Sequence, residues 1–62
     1  MKWRNISFKY KDTAEKCRED FAKAGIEVGD IFPNNEYWIL PWMPMSKAEY
    51  EMGINIMSKY DF

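Results

Sequence analysis

Three Trp, four Tyr and four Phe stand in a chain of 62 residues, and a body of that size cannot hide them all. A domain this small buries only about 60% of the surface its unfolded chain exposes, while each aromatic side chain carries roughly 150–250 Å². Part of that ring surface is therefore expected to face solvent or a neighbour. One domain spanning residues 1–62 is the natural count at this length.

The same chain lacks the usual catalytic equipment. It has no His and a single Cys. Proton transfer near neutral pH most often uses imidazole, and carboxylates or lysines replace it only where a pocket shifts them strongly. A non-enzymatic protein without cofactor or metal is expected. Cys17 has no partner for an internal disulfide, and no Cys/His cluster is available to hold zinc. Asp12, Glu15 and Glu19 share a helical region but are interleaved with Lys16 and Arg18, so they read as a solvated acidic turn favoured by the helix dipole rather than as a cation site. Nine basic and ten acidic residues leave a net charge of −1, and no basic stripe of the kind that duplex DNA demands is present. No apolar run is long enough to cross a bilayer. The start, Met1 to Asn5, has no apolar stretch after it and does not read as a signal peptide. With a lone thiol, a reducing cytoplasm is the expected setting.

Periodicity supplies five elements. Ile6, Phe8 and Tyr10 alternate with Asn5, Ser7 and Lys9, the period of a strand over residues 3–10. Trp3 falls on the polar face of that strand by parity. Asp12 with Glu15 has capping-box spacing, and Ala14, Cys17, Phe21 and Ala24 form an apolar stripe ending at Gly25, a residue suited to a left-handed helix terminus. Residues 26–32 and 36–40 read as strands joined by the turn Pro33-Asn34-Asn35. The second of these is apolar on both faces, as a central strand is. Pro41-Trp42-Met43-Pro44 reads as irregular. Ser46 and Glu49 form a capping box, with Met45 and Tyr50 at the spacing of a hydrophobic staple. They open a helix to about Tyr60 whose expected core stripe is Ala48, Met52, Ile56 and Tyr60.

The expected fold is α+β: a βαββα order with a three-stranded mixed sheet, strand order 1-3-2, and both helices on one face. It is architecturally similar to a ferredoxin-like fold lacking its last strand. That likeness carries no functional residues. The absent strand would leave one edge of the first strand bare, a place where charged residues give protection or another chain pairs.

Two groups of residues stand out as contact candidates. Tyr50, Ile54 and Met57 make a second apolar row on the last helix, to be spent either on a partner or on the core. Trp42 and Met43, held between prolines, serve either as a docking corner or as a lid on the core. Trp3 and Trp38 (or Tyr37) are candidates for an open sheet face. The functional expectation is a non-catalytic protein-interaction module that acts by sterically occupying a larger protein. Phage or mobile-element inhibitors of host machinery or defence are commonly of this size and plainness. A homodimer would fit the same surfaces. The alternatives are a single-stranded nucleic-acid binder using the sheet face, and a structural subunit of a larger assembly.

Overall fold

The computed structural model describes residues 2 to 60; Met1, where the leader reading begins, and Asp61 and Phe62 lie outside them. The element order is β1 (Arg4–Phe8), α1 (Lys11–Lys23), β2 (Glu27–Val28), β3 (Phe32–Asn34), β4 (Tyr37–Met43) and α2 (Lys47–Met57). The fold is α+β, with four strands where three were expected. The apolar strand is central: β1 lies on one side of β4, and β2 and β3 share the other. Every ladder is antiparallel. The expected arrangement, two mutually parallel strands with the apolar strand antiparallel between them, is the one seen; only its description as a mixed sheet is corrected, since the parallel β1 and β2 form no ladder. The truncated ferredoxin-like description therefore fits only in outline.

The extra strand arises from a bulge. Val28 pairs with Trp42 and Phe32 with Ile39, so Gly29, Asp30 and Ile31 face only Leu40 and Pro41. One additional residue breaks the ladder. The break places both Val28 and Ile31 against the core, although they are three residues apart. Proline is tolerated inside this central strand because its missing bond is replaced. The Gly29 N–H donates to the Pro41 carbonyl at 2.9 Å; the reciprocal bond, which an amide at position 41 would make to the Gly29 carbonyl, is supplied by Arg18 Nε, donating to that carbonyl at 2.8 Å. β4 therefore runs on to Met43 rather than stopping at Leu40.

The N-cap of α1 lies two residues earlier than the sequence implies. Tyr10 is its N-cap and makes no side-chain cap hydrogen bond; Asp12 lies inside the first turn. Its end matches expectation. Gly25 has φ +81°, the Ile26 N–H donates to the Phe21 carbonyl, and the Gly25 N–H donates to that of Ala22, both at 3.0 Å. These are the two bonds of a Schellman terminus. Ala14, Cys17 and Phe21 are buried and join Ile6, Phe8, Ile26, Leu40 and Trp42 in one core.

α2 is rotated relative to the expected stripe. Ala48 and Met52 face outward, while Tyr50, Gly53, Ile56, Met57 and Tyr60 turn in. Gly53 sets the rotation: a Cβ there would lie 2.6 Å from Trp42 Cη2, so the helix presents its one bare position to the indole. The cap is as read, with the Glu49 N–H donating to Ser46 Oγ at 3.1 Å and the Glu49 carboxylate accepting from the Met45 N–H at 3.0 Å. The staple does not close as expected: Met45 is exposed and Tyr50 stacks on Trp42 instead.

The Tyr60 hydroxyl donates to the Asp20 carboxylate and ties the end of α2 to α1. That bond, with the nearby negative charge, pushes the Tyr60 phenol up from 10.0 to about 12. Burial, with a smaller contribution from Asp20, pushes the Cys17 thiol from 9.0 to about 12. Both groups are held neutral by the fold, so their contribution is complete below the unfolded-state values and disappears as pH rises through the folded ones. The urea midpoint is expected to fall between pH 9 and pH 12. Tyr60→Phe should flatten the upper part of that fall. A midpoint constant across the range would contradict this account.

Candidate groove between a strand edge and a helix

The two walls of the candidate site come from elements far apart in sequence. Along β4, the Gly29–Pro41 bond shows that odd-numbered residues direct their backbone groups toward β2 and β3. Trp38, Leu40 and Trp42 therefore bond to Phe8, Ile6 and Arg4. It follows that the N–H and C=O of Asn5 and Ser7 point away from β4, to an edge that pairs with no strand among the described residues. Facing this edge is α2. Between them runs a groove of about 280 Å³, walled by Arg4–Ser7 on one side and by Tyr50, Ile54 and Met57 on the other, with Trp42 contributing to its lining. Two features that the sequence offered separately, the bare edge and the second helix row, belong to one concavity.

An aromatic column holds one end of the groove. Trp42 meets the Phe21 ring edge-on at 5.0 Å and stacks with Tyr50 at 6.0 Å, their planes 12° apart. The Arg4 guanidinium lies 4.6 Å above the other part of this stack, over Tyr50. Such contacts fix ring and cation positions before any ligand arrives. Beyond Arg4 the groove opens into a hollow of about 420 Å³ lined by Lys2, Arg4 and Lys47 together with Pro44, Met45, Ser46 and Tyr50. Three cations and no carboxylate line it.

The other expected site residues are distributed differently. Trp42 is 2% exposed: it belongs to the core, as the lid reading has it, and reaches the groove only as a small part of its lining. Met43 is the next residue of the same strand and therefore points to the opposite sheet face, half-buried. The expected Trp42-Met43 corner does not exist, because β4 continues through it. Ile54 is 42% exposed, whereas Tyr50 and Met57 are partly buried against the core. Trp38 lies on the helix-covered face opposite Phe8, with Lys11 Nζ 5.3 Å from its ring. It does not share a face with Trp3.

The uncovered sheet face carries Trp3, Phe32 and Tyr37, all at least two-fifths exposed, around a buried Ile39. Sequence reasoning named Trp3 and offered Tyr37 as a substitute for Trp38, but missed Phe32. The parity that made Trp3 look misplaced on a polar face was the available signal. A larger hollow of about 570 Å³ beside α1 mixes Lys11 and Arg18 with Glu15, Glu19 and Asp30. Arg18 is engaged there, donating from Nε to the Gly29 carbonyl at 2.8 Å. Among the described residues no three His, Cys, Asp or Glu side chains gather to hold a metal ion, and no helix is long and apolar enough to cross a membrane. No protein-family model, curated protein or solved structure matches the chain.

Proposed function

We propose that this protein is a non-catalytic interaction module that captures an extended segment of a larger protein along β1 and thereby sterically occupies that partner. The observation that carries the reading is the pairing of a bare strand edge with an apolar helix row in one groove. Edge amides and carbonyls supply main-chain affinity, and a helix wall supplies pockets for every second side chain of the added strand. Ile54 and Met57 are the apolar wall, and Tyr50 closes its end.

The nucleic-acid alternative draws on the opposite face and has less support. Rings are present there, but among the paired strand residues the charged one on that face is Glu27, opposite Met43. Phosphate binding calls for cations.

The edge assignment is testable on the isolated protein. Amides of Ile6 and Phe8 are expected to exchange slowly with solvent deuterium, while those of Asn5 and Ser7 exchange faster by an order of magnitude or more. Ile54→Asp should leave the far-UV circular dichroism unchanged and cost no more than about 1.5 kcal/mol, as for a side chain only partly covered and placed in the last turn of a helix. Slow exchange at Ser7, or collapse of the fold in the Asp variant, would falsify the groove reading.

A further inference from the structure

Building on the strand-addition reading, we infer that the captured segment runs antiparallel to β1 and carries acidic residues at its C-terminal end. Its main chain pairs with the outward groups of Asn5 and Ser7 while its carboxylates enter the hollow bounded by Lys2, Arg4 and Lys47.

Two observations combine. The groove and the cationic hollow share Arg4 and Tyr50, so they form one continuous surface. The hollow lies at the N-terminal end of β1, which gives the surface a direction. Antiparallel pairing is the more stable mode per residue and is the pairing of every ladder already present. A strand added in that sense has its C-terminal end beside Lys2. β1 is five residues long, so the paired part of the guest spans about 17 Å, and residues just beyond it reach the cations. Arg4 is already oriented by its contact with Tyr50, which lowers the ordering cost of engaging a carboxylate. The chain as a whole is slightly acidic. A local concentration of three cations is thus a feature of this place rather than of the whole surface, and it selects a guest by charge as well as by backbone.

The test is selection from a displayed library of random dodecapeptides with free C-termini, panned on the wild-type protein and counter-selected on Ser7→Pro. Proline at position 7 removes an outward N–H and leaves the bonds to β4 intact, the setting in which edge proline is tolerated. The expected winners alternate β-branched or aromatic residues and end in Asp or Glu. A synthetic winner should lose about tenfold in affinity on the double reversal Lys2→Glu with Lys47→Glu, the combined effect expected of lost and inverted exposed ion pairs. Both lysines are exposed, and an acidic residue in the first turn of α2 suits its dipole, so this variant should fold. Winners that depend on Ser7 but carry their acid at the N-terminal end, or carry none, overturn this inference and leave the groove standing. Enrichment that Ser7→Pro does not reduce overturns both.

Discussion

Gly53→Ala is expected to destabilise the protein by about 3 kcal/mol, the upper part of the range for overpacking a core. The sign is the reverse of what helix propensity gives, since Gly→Ala inside a helix ordinarily gains about 1 kcal/mol. The new methyl would lie 2.6 Å from Trp42 Cη2 and 3.2 Å from Cε3, and closer still to Cζ3. The indole has little room to yield, because Phe21 and Tyr50 hold it. A domain of this length has a total stability of about 3–9 kcal/mol, so the variant should melt roughly 10 °C or more below wild type. The cause can be isolated. In a Trp42→Phe background the outer indole atoms are gone, and the same alanine should become neutral or stabilising, a coupling that a double-mutant cycle measures. An unchanged or higher melting temperature for Gly53→Ala alone would show that the helix does not approach the ring as closely as described.

Trp42→Ala should be the most damaging single truncation, at about 3–5 kcal/mol. Its side chain is the largest of those fully buried and touches both helices through Phe21, Gly53 and Tyr50. Loss of that size takes a domain of this length close to unfolding, so far-UV circular dichroism at 37 °C should be strongly reduced and the urea midpoint should approach zero. Trp3→Ala offers the contrast. That ring is 51% exposed and should be worth about 1 kcal/mol or less. Comparable losses from the two substitutions would mean that Trp42 is not the centre of the core.

The difference between these two tryptophans also marks where sequence reasoning worked and where it stopped. Local periodicity and end signals identified β1, the Schellman end at Gly25 and the Ser46–Glu49 cap, because each depends on residues within one turn or one strand. The central place of β4 was legible from a run of apolar residues on both faces. The bulge was passed over: a lone Gly29 inside a strand is a signal for one, but the extra residue itself becomes visible only through the register against β4. Pro41 misled for a related reason, since the acceptor its missing amide would have served, the Gly29 carbonyl, is satisfied by Arg18 from another element. On α2, hydrophobic spacing alone allowed two stripes, and the inward face draws on both: Ile56 and Tyr60 from the expected core row, Tyr50 and Met57 from the other. Gly53 was the informative residue, but its meaning required knowing that Trp42 stood opposite. The groove shared this limit. The edge of β1 and the row Tyr50, Ile54 and Met57 were both visible in the sequence, while their meeting is a property of topology.

The interrupted flank formed by β2 and β3 bears on stoichiometry. Those pieces are two and three residues long, offset by the bulge, and do not present a continuous rail for a further chain. β1 does. A molecule with two continuous rails can polymerise, each newcomer exposing the next site; a molecule with one stops after a single guest. On the strand-addition proposal the complexes are accordingly expected to be one-to-one, and raising the concentration should saturate them rather than grow fibres.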